Sequence, residues 1–290
     1  MYGIERKHGD FQMSEVAIVA SAFSADAIRR DGHAAWAEVA ARAGAAAFEV
    51  RSELFASDAE AGLPALQALG ETIEAHGVWS VYSTPAALYT ASGALDEAAL
   101  RLAAAQADAL GARFVKLQLG GFGAAAQKTA GDAKADHAQD SFTAGGPVHA
   151  DGARIAACLR GVRARLVVEN GQLREGGLIA QFAGLFDALR REGHAGVLGM
   201  TFDIGNWQWP GEAPLEAARQ LAPHVEYIHC KAVAGEGARR FAVAPVSDDP
   251  SFAATLQLLP REAPRGIEFP FDTRRVAADA SHYVEWLAVA

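Results

Sequence analysis

Short apolar runs alternate with longer Ala- and Leu-rich stretches along most of the chain. The runs at 16–20 (VAIVA), 45–50 (AAAFEV), 78–82 (VWSVY) and 113–119 (RFVKLQL) are too short for helices and predict strands. Four more follow at 165–169 (RLVVE), 197–203 (VLGMTFD), 225–229 (VEYIH) and 264–269 (PRGIEF). Between them, helical patterns lie near 34–43, 62–76, 94–110, 148–163, 176–192, 212–222, 251–259 and 273–289. Gly44, Gly77, Gly111 and Gly193 stand where several of these end.

Strict strand–helix alternation implies a parallel sheet covered by helices, an α/β fold. One (β/α)8 TIM barrel needs about 250 residues. The whole chain, 1–290, therefore fits a single barrel domain with one insertion. A doubly wound open sheet is the rival, but it places its ligand at one switch point, often on a glycine-rich phosphate loop. No G-x-G-x-x-G or Walker loop occurs between a predicted strand and helix. The insertion is 120–147, which has little apolar periodicity and follows the fourth strand. On a barrel that position is the active face, so the segment is either a lid or disordered. A second irregular stretch, 232–250, carries Arg239 and Arg240.

The ends of the last four strands change the picture from fold to chemistry. They carry Glu169, Asp203, His229 and Glu268. Three carboxylates and an imidazole make a mixed oxygen and nitrogen donor set for a divalent cation. Each residue also has a plainer reading. Glu169 enters an Asn-Gly turn, Asp203 caps a following helix, His229 sits in the core, and Glu268 pairs with an arginine. Matching positions on four successive strands favour the metal.

Side chains two apart share a strand face. Glu49, Arg51 and Glu53 therefore line up, as do Lys116 with Gln118 and His229 with Lys231. Charges inside a barrel are costly unless paired, so each calls for a partner. Trp207 and Trp209 either line a pocket or pack a loop.

Composition narrows the class. Hydrophobic residues make up 51% and charged residues 21%, which suits a globular core. The net charge of −9, without a Lys/Arg run, argues against a nucleic-acid partner. No run is long enough to span a membrane. Cys158 and Cys230 are far apart and form no disulfide framework, and the first residues lack a signal-peptide core. The expectation is a cytoplasmic protein; monomer and homo-oligomer both stay open.

The motifs together resemble the xylose isomerase-like TIM barrels, the sugar phosphate isomerase/epimerase group related to AP endonuclease family 2. The resemblance rests on Val168-Glu169-Asn170, Asp203-Ile204-Gly205-Asn206, His229-Cys230-Lys231, Gly266-Ile267-Glu268 and the second-strand Glu49. It implies one divalent ion (Mn, Mg, Co or Zn) held by Glu169, Asp203, His229 and Glu268. It also implies isomerisation or epimerisation of a small sugar, keto-sugar or hydroxy-keto acid through an enediolate. Glu169 and Glu268 would then be both ligands and acid/base groups. Glu49, Arg51, Lys116, Asn206 and Lys231 are the expected substrate contacts. Keto-sugar epimerases of the group often carry His where this chain has Asn206, and the extra ligands of endonuclease IV-like members are not found. A metal-dependent dehydratase or lyase on the same barrel is the alternative, and a non-catalytic sugar-binding barrel is a third reading.

Overall fold

The computed structural model describes residues 13–123 and 148–290. Its strands are β1 (Val16–Val19), β2 (Ala47–Arg51), β3 (Trp79–Tyr89), β4 (Phe114–Gly120), β5 (Arg165–Glu169), β6 (Gly199–Asp203), β7 (Val225–Cys230), β8 (Ala232–Ala234), β9 (Phe241–Val243) and β10 (Arg265–Ile267). All except β8 and β9 pair in parallel and close into a barrel of order β1-β10-β7-β6-β5-β4-β3-β2. The described helices are α1 (Ala25–Asp31), α2 (His33–Arg42), α3 (Leu63–Ala75), α4 (Glu97–Leu110), α5 (Gly152–Cys158), α6 (Ile179–Arg191), α7 (Pro214–Leu221), α8 (Pro250–Leu258) and α9 (Val276–Val289). None is long and apolar enough to cross a membrane.

Helix α4 shows how the sequence sets an element. The Asp96 side chain accepts a hydrogen bond from the Ala99 N–H, and Glu97 adds negative charge to the first turn. Leu100, Ala103, Ala104, Ala107 and Leu110 recur at helical spacing and are buried. Gly111 then adopts φ 70° and ψ 26°, a left-handed conformation that costs glycine little, and its N–H caps the last turn.

The alternation of side chains along each strand produces two cores. Outward residues such as Phe48, Val115, Leu166, Phe202 and Ile228 join the helices in one large cluster. Inward residues Ala17, Ala47, Val81, Phe114, Val167 and Tyr227 form a separate cluster inside the barrel. Phe114 and Tyr227 stack there with ring centroids 5.9 Å apart. This apolar layer is the floor on which the charged residues stand.

The structure adds three features to the sequence reading. Helix α1 was not expected; Ser24, at φ 77°, caps it, and Gly32 separates it from α2. Strand β3 continues past 82 to Tyr89, across a register shift between Ser83 and Ala87 that breaks its alternation. Within 232–250, β8 and β9 form an antiparallel hairpin, and Arg240 donates to the Gln208 carbonyl on the β6 side. Helix α5 is shorter than the predicted 148–163. It begins after Asp151, whose φ is 57°. The Glu192 carboxylate accepts from Ala150 N at 2.6 Å and Gly152 N at 2.8 Å, fixing that start. Of the 120–147 insertion, 124–147 lies outside the described residues, so its role as a lid stays an expectation.

Candidate active site

One step of two residues along each strand leads from the apolar floor to a charged layer. Ala47 is followed inward by Glu49, Phe114 by Lys116, Val167 by Glu169, and Tyr227 by His229. Thr201 and Gly266 lead in the same way to Asp203 and Glu268. Glu49, Asp203 and His229 have no exposed surface, and Lys116, Glu169 and Lys231 are nearly as buried. The layer lies at the C-terminal ends of the strands, where barrel active sites sit.

Glu169, Asp203, His229 and Glu268 each offer one donor atom, and these atoms all lie within 4.8 Å of one another. His229 Nδ1 is 2.7 Å from Glu169 Oε1, 3.2 Å from Glu268 Oε2 and 3.7 Å from Asp203 Oδ2. Glu169 Oε1, Asp203 Oδ2 and His229 Nδ1 are buried without a hydrogen-bond partner among the described residues. Asp203 Oδ2 does have the Lys231 ammonium as an ion-pair partner at 2.7 Å. Buried polar atoms left without a hydrogen bond are costly, and two carboxylate oxygens converging with a ring nitrogen fit a cation that displaces the ring proton. The donor set, carboxylate oxygens with one imidazole, suits Mn²⁺, Mg²⁺, Co²⁺ or Zn²⁺.

Buried cations surround these carboxylates. Lys116 Nζ lies 2.6 Å from Glu169 Oε2 and 3.4 Å from Glu49 Oε1. The Gln118 amide also donates to Glu169 Oε2 at 2.6 Å. Lys231 Nζ donates to Glu268 Oε2 at 2.6 Å, and Arg51 Nη1 to Glu268 Oε1 at 2.6 Å. Arg51 is itself held by Glu53 at 2.6 Å. On the far side of the imidazole, His229 Nε2 is 2.8 Å from Glu49 Oε2.

These contacts set the protonation states. Burial would raise the Glu169 and Glu268 carboxyls, but Lys116 for the first, Lys231 for the second, and His229 for both outweigh it and hold them low. Glu49 is likewise brought to about 2 against its burial, chiefly by Lys116 and His229. Asp203 goes the other way, to about 6, because burial outweighs Lys231 and the Glu268 charge adds to it. Burial disfavours the His229 imidazolium, but Glu49, Glu268 and Glu169 carry its pKa well above the usual value, against Lys116.

Above the layer opens a cavity of about 430 Å³ lined by Arg51, Gln118, Glu169, Asn206, Lys231 and Glu268, among others. Glu49 and Lys116 do not line it. Glu49 has no exposed surface and Lys116 almost none. Asn206 does reach the cavity, and its N–H donates to Asp203 Oδ1 at 2.8 Å. Asn170 exchanges hydrogen bonds with the Asp203 backbone, at 2.8 and 3.0 Å, tying the β5 and β6 ends together. Of the plainer readings, Glu268 does pair with Arg51, whereas the cap residue of the short helix at 206–208 is Gly205 and carries no side-chain cap. Trp207 is fully buried against Phe182 and Phe202, so it packs the loop instead of lining the pocket. A separate groove of about 310 Å³ between α8 and α9 is lined by no carboxylate or histidine side chain among the described residues.

No family model matches the chain, and no curated protein matches it. Solved structures do. A D-psicose 3-epimerase, crystallised in the presence of D-fructose, is 14% identical, covers 95% of this chain and 100% of its own, and has a TM-score of 0.61. A xylose isomerase domain protein from Planctomyces limnophilus is 16% identical, covers 95% of each chain, and has a TM-score of 0.59. A probable 3-DHS dehydratase involved in petrobactin synthesis in Bacillus anthracis is 12% identical, covers 93% of this chain and 98% of its own, and has a TM-score of 0.58. The architecture is a TIM barrel. The solved xylose isomerase domain protein and the epimerase share that barrel fold.

Proposed function

We propose that this chain is a divalent-metal-dependent isomerase or epimerase of a small α-hydroxy-carbonyl compound of the sugar or hydroxy-keto-acid class. The observation that carries the reading is the convergence of Glu169, Asp203, His229 and Glu268, with three of their donor atoms making no hydrogen bond among the described residues. The D-psicose 3-epimerase of like fold supports it.

What a divalent ion supplies in such a site is Lewis-acid polarisation of a carbonyl and offset of the charge that develops on it. The remaining work falls to side chains. Glu169 and Glu268 come from strands separated by β6 and β7, and so flank the cavity. Both are ionised at neutral pH and can accept the proton on the carbon next to the carbonyl. Their ion pairs with Lys116, Lys231 and Arg51 lower their basicity and hold each carboxylate in place. Lys231 lines the same cavity and can donate a hydrogen bond to a substrate oxygen. Asn206 and Gln118 offer amides to hydroxyl groups.

The dehydratase of like fold supports a second reading, in which the same proton removal is followed by loss of water. A panel of ketoses, hydroxypyruvate and cyclitol ketones separates the two after chelation and reloading with Mn²⁺, Mg²⁺, Co²⁺ or Zn²⁺. Epimerisation or isomerisation through an enediolate replaces the hydrogen on the substrate carbon with deuterium from solvent; dehydration yields an unsaturated product. Glu169→Gln and Glu268→Gln test the roles. The variant of the proton-transferring residue should lose about 10²–10⁴-fold in turnover, and deuterium exchange with it, while keeping most of its metal. Exchange unchanged in both variants moves the base elsewhere.

A further inference from the structure

We infer that Glu49 is the positioning residue of the metal centre: its carboxylate fixes the proton of His229 on Nε2 and so turns the Nδ1 lone pair toward the other three donors. The inference rests on the metal reading above and deepens it.

The argument begins with reach. Glu49 stands on β2 and His229 on β7, with β1 and β10 between them around the barrel wall. Their side chains meet across the lumen, Oε2 to Nε2, at 2.8 Å. Both residues have no exposed surface, so no water competes for the contact. An ionised carboxylate can only accept a hydrogen bond. The nitrogen facing Glu49 must therefore carry the proton. A metal ligand must be the neutral imidazole, so binding an ion displaces the second ring proton, and in that form the other nitrogen is the acceptor. That nitrogen is Nδ1, which makes no hydrogen bond among the described residues and faces Glu169, Glu268 and Asp203. The tautomer that Glu49 selects is the one that can ligate.

Two neighbours hold the arrangement. Lys116 Nζ, 3.4 Å from Glu49 Oε1, keeps a positive charge on the side of the carboxylate away from the ring. Gly266 pairs with His229 in the adjoining strand, and a Cβ there would lie 2.9 Å from His229 Cδ2 and 2.5 Å from Tyr227 Oη. The ring is thus seated by the close approach of one strand and aimed by the carboxylate of another.

The competing role for Glu49 is simple charge balance for Lys116, and Glu49→Gln separates the two. The amide is nearly the same size. With the Lys116 ammonium beside it, it places its oxygen toward that ammonium and its NH₂ toward His229. An NH₂ facing Nε2 drives the ring proton to Nδ1, where it blocks ligation. Partners of this kind are worth about 10–100-fold in metal affinity. Zn²⁺ and Mn²⁺ affinities from calorimetry should therefore weaken by about that factor in Glu49→Gln. The ring ¹⁵N spectrum of the Zn²⁺-loaded wild type supplies a test that needs no variant: it should show Nε2–H and a coordinated Nδ1. Coordination through Nε2, or affinity in Glu49→Gln within about twofold of wild type, overturns the inference and leaves the metal site standing. A wild type that binds neither ion removes the metal reading itself, and this inference with it.

Discussion

Replacing Lys116 with methionine isolates what the buried cations do. The side chain is 1% exposed, and its ammonium serves Glu169 at 2.6 Å and Glu49 at 3.4 Å. Methionine fills nearly the same volume, so the loss is of charge and not of packing. Removing one partner of a buried ion pair costs about 3–5 kcal/mol, because the other charge stays buried and unpaired. Here two carboxylates lose a cation, and Glu169 keeps only the Gln118 amide on that oxygen. For a chain of this size, each kcal/mol lowers the melting temperature by about 2–4 °C, so Lys116→Met should melt roughly 6–20 °C below wild type without metal. A divalent ion then replaces part of the missing positive charge. Adding Mn²⁺ should therefore raise the melting temperature of the variant by more than it raises that of wild type, by mass action on the folded state. Calorimetric scans with and without Mn²⁺ check both statements. A variant that melts within about 2 °C of wild type, with the same metal-induced shift, would refute the view that Lys116 balances the buried carboxylates.

Other perturbations address neighbouring parts of the argument. His229→Ala removes the one nitrogen donor; metal analysis after dialysis should find it depleted relative to wild type, and equal occupancy would show that His229 is not a ligand. Gly266→Ala places a methyl group 2.5 Å from Tyr227 Oη and 2.9 Å from His229 Cδ2. It should weaken metal binding by displacing the ring, and a crystal structure with His229 unmoved would contradict this. His33 is buried against Phe55, and burial lowers its pKa to about 4. Between the unfolded value of about 6.5 and that folded value, the unfolded chain binds the extra proton, so stability is complete above pH 6.5 and falls as the pH drops to 4. The loss is at most about 3 kcal/mol, and urea titrations across that range should show it shrinking in His33→Phe.

The barrel was legible because its strands are short, apolar and regularly spaced, and because Gly111 and its counterparts mark helix ends. The four candidate ligands were legible for a related reason: period two places Glu169, Asp203 and His229 at matching strand tips, and Glu268 directly after the last strand. Period two also put Glu49 on the inner face but gave no depth along the barrel axis, so it could not tell a residue beside the cavity from one beneath it. The depth depends on register between strands: Glu49 sits level with Val19 and Val81, and one step up its own strand brings Arg51 to the opening. The ion-pair partners were hidden too, since Lys116 and Glu169 are distant in sequence and meet only through the pairing of β4 with β5. The missed helix α1 had a local signal: Ser24 caps it, Asp26 lies in its first turn and Gly32 closes it. Its brevity and the immediate start of α2 concealed it. The extension of β3 carried no such signal, because the register shift breaks the alternation that a strand reading relies on.

The charged layer raises a question of balance that the barrel answers by its layering. Glu49, Glu169, Asp203 and Glu268 are matched in the interior by Lys116, Lys231 and Arg51, yet desolvating each charge still costs several kcal/mol before pairing repays it. A site of this kind is a net burden on folding unless apolar packing elsewhere compensates. The floor of Ala17, Ala47, Val81, Phe114, Val167 and Tyr227 and the larger core under the helices supply that packing without sharing a side chain with the chemistry. Because the two layers lie two residues apart on the same strands, a one-residue slip of any strand would turn its charged residue into the apolar outer core. The cost of that slip fixes the register of β2, β4, β5 and β7. The residues proposed to hold the metal therefore also help specify the fold: a one-residue slip would bury each of them, unpaired, in the apolar outer core, whereas in the native register they face each other.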